Sequence, residues 1–412
     1  MVDNPYKLRT AGADELPRVS ALLADAFGSD VDDEETGHVR LVFEPDRDHV
    51  IEYDGEIVAN AGAYSRELTV PGAVVPAAHV TLVGVRPTHR RRGLLTQLMR
   101  YQLREVRDVH REAVAALWAS EGRIYQRFGY GLAALGQRLT IDNREVRLNR
   151  MPDPTAGRLR DGQPEQFRKE LRQVYDEVRA EYPGRSSRNE NWWRFRLFDP
   201  EKRRGGYTER RAMVFEGASG PEGYALWRRR QEWTDTGPRG EVEVHEVVAG
   251  TSEAYAALWQ LLLSVDLTRT VRYGFASVDD PVRYLVNEPR GLGAWTGDTL
   301  WVRLTDVPGA LVARRYARPV DVVLEVTDAL LPENAGRWRL TAASDGTARC
   351  APSTDPPDLS CDIADLGAAY LGGSPLSALA SAGRVREHRP GALAQATVAF
   401  GWARAPSALE IF

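Results

Sequence analysis

The stretch Val83-Gly84-Val85-Arg86-Pro87-Thr88-His89-Arg90-Arg91-Arg92-Gly93-Leu94-Leu95-Thr96 joins a strand pattern to a helix pattern. Residues 76–86 (PAAHVTLVGVR) predict a β-strand, and apolar residues recur at helical spacing from about Gly93 to His110. The first N–H groups of a helix have no intrahelical partner, and the helix dipole favours an anion there. The stretch therefore predicts a mixed α/β fold with a pyrophosphate-sized anion site at this turn.

The composition of the turn supports this interpretation. Gly93 lets a phosphate approach the backbone of Leu94, Leu95 and Thr96, while three arginines (Arg90, Arg91 and Arg92) raise the local positive potential. Taken alone, the four letters RRRG are more typical of an exposed basic helix start, so the interpretation depends on the elements around the turn.

Outward from this turn, the N-terminal third alternates strand and helix patterns. Strands are predicted at 6–11, 48–53, 56–70, 113–119 and 132–141, and helices at 13–27 and 121–127. The second and third of these strands flank Asp54-Gly55, a turn-forming pair. The order predicts an α/β domain built on a central sheet.

The later part of the chain repeats part of this order of elements. Strand, helix and strand patterns at 241–250, 252–264 and 270–278 repeat the order at 76–119, which indicates an internal duplication. The second copy has Ala249-Gly250-Thr251-Ser252 in place of a basic turn, so we do not expect it to hold a pyrophosphate. A third block begins near Trp301, with strands around 319–326 and 336–343 and helices at 362–371 and 374–381.

Length and composition narrow the class of protein. The chain has 412 residues, of which 43% are apolar and 27% charged, as in a folded protein of two or three domains. A net charge of −4 argues against a nucleic-acid partner. No leader-like start or membrane-length apolar run is present, so we expect a cytoplasmic protein. Cys350, Cys361 and the seven histidines form no metal or disulfide pattern.

Two further stretches contain candidate site residues. Ala119-Ser120-Glu121-Gly122-Arg123-Ile124-Tyr125-Gln126-Arg127-Phe128-Gly129-Tyr130-Gly131 follows a predicted strand, with Tyr125 on a short helix and Tyr130 in a position that suits packing. The sequence ends Leu409-Glu410-Ile411-Phe412, and its apolar last dipeptide predicts a docked terminus.

The basic turn resembles the cofactor turn of the GNAT acetyltransferases, Arg/Gln-x-x-Gly-x-Gly/Ala. Arg90, Gly93 and Leu95 fall at the matched positions, and Leu95 departs from the usual small residue. The resemblance implies that acetyl-CoA is the cosubstrate, without a metal. It also places the backbone N–H groups of Val83, Gly84 and Val85 where they would polarise the thioester carbonyl.

The string ASEG-x-IY-x-RFGYG closely resembles the Eis family of acetyltransferases, over the whole chain. This resemblance implies tandem GNAT folds, at 1–148 and, in degenerate form, at 149–298. It also implies a sterol-carrier-protein-like α/β domain at 299–412 and assembly as a homohexamer. The implied acceptor is an amine, either an aminoglycoside-type polyamine or a lysine side chain.

The same resemblance assigns roles to individual residues. Tyr125 is the implied general acid and the α-carboxylate of Phe412 the implied base, while Ser120 and Glu121 border acetyl-CoA. Asp25, Phe27 and Glu410 are the implied substrate contacts. An α-carboxylate titrates near 3.3–3.7 and an alkylammonium near 10.4, so the carboxylate is better suited to attracting and orienting the ammonium.

Several alternatives stay open at this level. A non-catalytic carrier or scaffold that binds CoA and a lipid is the rival from another class. Among acceptors, a protein lysine or a small polyamine competes with an aminoglycoside. The acidic run Asp32–Glu35 is expected to be a solvated loop, and the tryptophans at 192 and 193 are expected to pack in a core.

Overall fold

The computed structural model of the protein describes residues 5–412. The chain divides into two compact units: one extends to Ala134 and also holds Thr299–Ala403 and Ile411–Phe412, and the other holds Leu135–Asp298 and Arg404–Glu410. None of the helices within the described residues is long and apolar enough to cross a membrane.

The first unit begins with the predicted alternation of strands and helices. Asp54 and Gly55 both have positive φ (49° and 79°), as a two-residue hairpin turn requires, and they join the two strands predicted on either side. The elements are β1 (Lys7–Thr10), α1 (Leu16–Phe27), α2 (Asp33–Val39), β2 (His49–Tyr53), β3 (Glu56–Val70), β4 (Ala73–Val85), α3 (Leu94–Asp108), β5 (Val114–Trp118), α4 (Gly122–Tyr125) and β6 (Gly131–Leu132).

The acidic run at 32–35 was wrongly expected to be a loop. Asp32 is the N-cap of α2, and its carboxylate accepts hydrogen bonds from the N–H groups of Glu34 and Glu35 at 3.0 and 3.1 Å. The three acidic residues that follow occupy the first helical turn, where the helix dipole favours negative charge. A run of carboxylates is thus a helix start here.

The second unit repeats the plan of the first. Its strands β13 and β14 pair in parallel and are connected by α7, just as β4 and β5 pair in parallel and are connected by α3, which supports the predicted duplication. Its sheet has the order β15-β7-β14-β13-β10-β9-β8. The elements are β7 (Leu135–Asp142), β8 (Gly157–Gly162), α5 (Arg168–Arg179), α6 (Glu190–Leu197), β9 (Arg211–Gly217), β10 (Gly220–Arg230), β11 (Trp233–Thr234), β12 (Gly237–Pro238), β13 (Gly240–Ala249), α7 (Ser252–Ser264), β14 (Thr268–Ser277), α8 (Val282–Leu285) and β15 (Trp295–Asp298).

The chain then returns to the first unit. A five-stranded sheet of order β19-β18-β17-β20-β21 forms there, as the strand and helix patterns of the third block predict in part. The elements are β16 (Leu300–Leu304), α9 (Val307–Ala313), β17 (Val320–Thr327), β18 (Gly336–Ala342), β19 (Ala348–Pro352), β20 (Leu359–Asp362), α10 (Ile363–Ala369), α11 (Leu376–Ser381), β21 (Val385–Glu387) and α12 (Ala392–Phe400).

Strand β16 differs from the sequence interpretation, which placed residues 300–304 at the start of the third domain. It lies in the first sheet, of order β1-β2-β3-β4-β5-β16-β6, and pairs antiparallel with β5 and β6. All five of its side chains are buried, because the strand is central in that sheet. The predicted domain boundaries at 148 and 298 remain predictions.

Candidate active site

A gap opens in the first sheet where two parallel strands separate. Strands β4 and β5 pair at Ala78–Ala115 and His79–Ala116 and diverge beyond His79. On the other side of β4, the N–H of Arg86 donates to the carbonyl of Val58 at 2.9 Å. Because N–H groups alternate in direction along a strand, those of Val83 and Val85 point toward the gap.

The basic turn carries the chain from this gap into α3. Gly93 is the N-cap of α3 with φ 80°, a conformation that favours glycine, and it has no side chain with which to cap the helix. The N–H groups of Leu94, Leu95 and Thr96 therefore begin the helix without intrahelical partners. Such a helix start is suited to a pyrophosphate.

The three arginines of the turn have different partners. Arg90 donates to the carbonyl of Val85 at 3.3 Å and to that of Ala26 at 2.9 Å, which fixes the turn against the end of α1. Arg92 donates to the hydroxyl of Tyr6 at 2.8 Å and to the carbonyl of Thr88 at 3.3 Å. Arg91 is exposed, with a positive φ of 62°. All three keep positive charge beside the helix start.

A cavity of about 590 Å³ occupies this region. It brings together most of the predicted cofactor residues with Tyr125 and Phe27, while Arg92 does not line it. The lining residues are Ala26, Phe27, Val83, Gly84, Val85, His89, Arg90, Arg91, Gly93, Leu94, Leu95, Thr96, Ser120, Glu121, Ile124, Tyr125 and Arg127. The strand, the helix start and the tyrosine thus share one cavity, with the roles of the individual residues still predictions.

The surroundings of Tyr125 favour the protonated form of its hydroxyl. Burial raises the pKa of its hydroxyl, and a hydrogen bond with Ser120 opposes the shift without cancelling it. The side chain is 6% exposed and lines the cavity. A phenol with a raised pKa stays protonated at neutral pH, so it is available to donate a proton.

The rest of the second motif is explained by packing. Tyr130 is fully buried, its ring lies edge-on to that of Tyr125, and burial raises its pKa far above the ordinary value. A Cβ at Gly122 would meet the ring of Trp301 at 2.9 Å, and one at Gly131 would collide with the carbonyl of Ala364. The lack of a side chain at Gly122 and Gly131 therefore lets β16 and α10 pack directly against this part of the chain.

The structure places the last residue at the inner end of the gap. The ring of Phe412 packs against that of His79, with centroids 4.5 Å apart. His79 is fully buried and is the last residue of β4 paired with β5, so Phe412 lies where the strands begin to diverge. Sequence reasoning did not single out His79; a lone histidine in an apolar strand carries no local signal.

Two predicted substrate contacts lie elsewhere. Asp25 is exposed near the end of α1 and does not line the cavity. Glu410 is buried in the second unit, where its carboxylate accepts a hydrogen bond from Nε of Arg188 at 2.9 Å. Within residues 5–412, no group of three or more His, Cys, Asp or Glu side chains is arranged to hold a metal.

Comparisons with known proteins give the family of the chain. Residues 7–133 and 184–304 each match an acetyltransferase (GNAT) domain model, and residues 307–408 match a sterol carrier protein domain model. N-acetyltransferase Eis of Mycobacterium bovis is 37% identical over 341 residues, covering 80% of each chain. The chain belongs to the Eis family of GNAT N-acetyltransferases. The family and fold that the motifs indicated are thus confirmed.

Other relatives cover similar lengths. An uncharacterised N-acetyltransferase of Streptomyces avermitilis is 44% identical over 356 residues, covering 86% of this chain and 87% of its own. The crystal structure of Eis1 from Mycobacterium abscessus superposes with a TM-score of 0.84 at 34% identity, covering 98% of this chain and 100% of that one. The protein is therefore an N-acetyltransferase, and acetyl-CoA is the acetyl donor of GNAT enzymes.

Proposed function

We propose that the protein transfers the acetyl group of acetyl-CoA to an amine in the cavity between β4 and β5. One observation carries the proposal: a single cavity contains the uncapped start of α3, the strand residues Val83 and Val85, and the hydroxyl-bearing Tyr125. These groups meet the three needs of acetyl transfer, which are a site for the pyrophosphate, donors for the oxyanion and an acid for the leaving thiolate.

The pyrophosphate of acetyl-CoA would bind at the first turn of α3. Leu94, Leu95 and Thr96 contribute N–H groups there, and Arg91 contributes charge. Ser120 and Glu121 border the acetyl end of the cosubstrate. The thioester carbonyl would accept from the N–H groups of Val83 and Val85, whereas the N–H of Gly84 points toward β3.

The chemistry needs no covalent enzyme intermediate. The neutral amine nitrogen attacks the thioester carbon, a C–N bond forms and the C–S bond breaks, and the electron pair leaves on sulfur. The acceptor ammonium first loses one proton to water or to the α-carboxylate of Phe412, which gives the neutral nitrogen. Tyr125 donates its proton to the leaving thiolate, and the second proton, which the nitrogen loses as it becomes an amide, returns to Tyr125 through water. The position of the Phe412 ring at the inner end of the gap supports the second assignment.

The acceptor is proposed as a class. An aminoglycoside-type polyamine or a lysine side chain carries the cationic amine that Phe412 would attract, and Asp25 and Phe27 at the end of α1 are the proposed contacts on the acceptor. Glu410 is a less direct candidate, because its carboxylate is paired with Arg188. A homohexamer is the expected assembly, and light scattering on the purified protein tests it.

The test is a thiol-release assay with acetyl-CoA and a panel of aminoglycosides, polyamines and lysine peptides. It compares the native protein with a form that carries two residues after Phe412. We expect turnover on at least one amine, and a large loss in the extended form. Turnover that survives the extension would remove Phe412 from the mechanism, and turnover on none of the amines would contradict the proposed acceptor class.

A further inference from the structure

Strand β4 carries a bulge just before the residues that face the cavity. Its register with β3 pairs Val85 with Ala59 and Gly84 with Asn60, but the next pair is Thr81 with Gly62. Leu82 and Val83 therefore stand opposite the single residue Ala61. Leu82 takes up the extra length with a φ of 52°, an unusual conformation for a leucine.

This bulge decides which N–H groups enter the gap. An insertion of one residue reverses the alternation of N–H directions along the rest of the strand. With the bulge, the N–H groups of Val83 and Val85 face the gap; with a regular strand, those of Leu82 and Gly84 would face it instead. The donors proposed for the thioester thus depend on the conformation of Leu82.

Two buried polar side chains on neighbouring elements hold the bulge. The amide nitrogen of Asn60 donates to the carbonyl of Leu82 at 2.8 Å and lies 3.4 Å from Oδ2 of Asp48. Asn60 is fully buried and Asp48 is 1% exposed. A Cβ at Gly62 would collide with Oδ2 of Asp48 and would lie 3.5 Å from Cβ of Leu82. Glycine at 62 therefore leaves room for the carboxyl beside the bulge.

The buried polar groups of Asn60 and Asp48 lower the stability of the folded protein. Oδ1 of Asn60 and Oδ1 of Asp48 are buried without a hydrogen-bond partner among residues 5–412. An unsatisfied buried polar atom opposes folding, and burial also raises the pKa of Asp48 to about 7 despite the hydrogen bond from Asn60. Apolar residues of the same size would fill the site without this cost, which indicates that the polar pair serves the strand conformation.

We propose that Asn60 and Asp48 are positioning residues for acetyl transfer: Asn60 fixes the carbonyl of Leu82, Asp48 orients the amide of Asn60, and together they keep the N–H groups of Val83 and Val85 on the thioester carbonyl. This inference rests on the proposed function of those N–H groups. Neither side chain lines the cavity, so neither is assigned a contact with acetyl-CoA.

The test measures polarisation of the bound thioester directly. Infrared spectra of acetyl-CoA labelled with carbon-13 at the carbonyl are compared for free cosubstrate, native protein and Asn60→Leu, together with kcat and the dissociation constant of acetyl-CoA. We expect the carbonyl band to shift to lower frequency on binding to native protein and to lose most of that shift in Asn60→Leu. Loss of an oxyanion donor lowers kcat by roughly 100-fold or more, so we expect a fall of that order with affinity within a few-fold.

A matched control separates this role from damage to the core. Asn334 is 1% exposed in the same unit and donates to the carbonyls of Leu304 and Thr305 and to Asp328, at 3.2, 3.1 and 3.1 Å. We expect Asn334→Leu to lower stability and to leave the carbonyl band shifted. Asn60→Ser, which is shorter and has a hydroxyl in place of the amide, replaces Asn60→Leu if the leucine variant fails to fold.

The outcomes are distinguishable. An unchanged band and an unchanged kcat in a folded Asn60 variant overturn the positioning role and leave the proposed function intact. An absent shift in the native protein overturns both, because the strand N–H groups would then not reach the carbonyl. A lost shift in Asn334→Leu as well as in the Asn60 variant also overturns the inference, since the effect would then be general.

Discussion

Replacing Arg188 with methionine should destabilise the second unit by several kcal/mol. The side chain of Arg188 is fully buried and donates to both carboxylate oxygens of Glu246 at 2.8 and 2.9 Å and to Glu410 at 2.9 Å. Its guanidinium also lies 3.9 Å from the ring centre of Tyr175. Methionine fills similar volume but leaves two buried carboxylates without their main cationic partner. Loss of one partner of a buried ion pair costs about 3–5 kcal/mol.

A surface pair in the same unit gives the matched control. Arg168 lies 2.6 Å from Glu190, with side chains 34% and 56% exposed. Exposed pairs contribute about 0–1 kcal/mol, so Arg168→Met should have a small effect. The two variants should differ by at least about 2 kcal/mol, which is roughly a 30-fold change in the equilibrium constant for opening.

The pH dependence of the stability lost in Arg188→Met tests whether the buried carboxylates cause that loss. Burial is the largest influence on Glu246 and raises its pKa, but the charges of Arg188 and Arg196 and the hydrogen bonds from Arg188 and Tyr224 together hold the pKa of Glu246 below its ordinary value in the native protein. The native pair therefore keeps its stability down to the ordinary pKa of a glutamate, about 4.3, and loses it only below that pH. In Arg188→Met burial acts without the charge of Arg188 and raises the pKa of Glu246, so the folded variant takes up a proton and gains stability relative to the native protein as pH falls from 7.5 to 5.5. The loss of stability in Arg188→Met, measured against the native protein at the same pH, should therefore be smaller at pH 5.5 than at pH 7.5.

Hydrogen exchange of peptides that cover β13 and residues 404–410 gives the free energy of opening for this region. It avoids the assumption that a protein with two units unfolds in one step. A loss of stability in Arg188→Met no larger than that in Arg168→Met would refute the reasoning. A large loss that does not change with pH would refute it as well.

Three further changes test the cavity and its surroundings. Tyr125→Phe should lower kcat by at least about 100-fold, as loss of a general acid does, with little change in the acetyl-CoA dissociation constant; an unchanged kcat in the thiol-release assay would contradict its role. Gly93→Val should weaken acetyl-CoA binding at least about 10-fold by calorimetry, because strain at positive φ disturbs the helix start. Gly55→Val, at nearly the same φ in an exposed turn, controls for strain and should leave binding intact. Glu15→Gln should flatten the acid unfolding curve between about pH 5 and pH 2, because Arg9 lowers the pKa of Glu15 to about 2 and this stability is lost as pH falls; a curve like that of native protein would exclude the pair.

The elements that could be predicted from sequence are those whose signals are local. The Asp54-Gly55 hairpin, the strand that ends at Val85 and the helix that begins after Gly93 each follow from residues within one short window. The phosphate-binding part of the site lies within such a window, from Val83 to Thr96. The Eis-family motif from Ser120 onward added Tyr125, whose position in the cavity depends on the preceding strand.

The parts that were missed depend on pairing between distant residues. Strand β16 lies beside β5, whose residues precede it by more than 180 positions, and a short apolar stretch gives no sign of which sheet will take it. The contact of Phe412 with His79 has the same origin. At Asp32–Glu35 the error was different: a run of acidic residues was expected to form a loop, although an aspartate followed by acidic residues is also typical of a helix start.

The two copies of the strand–helix–strand unit differ at the point that decides whether an anion binds. In the second copy, the hydroxyl of Thr251 caps α7 by accepting from the N–H of Ala254 at 3.2 Å, and no arginine lies between β13 and that helix. In the first copy, Gly93 leaves the corresponding N–H groups of α3 without a side-chain cap. A threonine cap stabilises its helix by about 1 kcal/mol, whereas an uncapped start gives up that stability and keeps its donors available. The difference explains, in terms of one side chain, why the first copy alone is expected to hold acetyl-CoA.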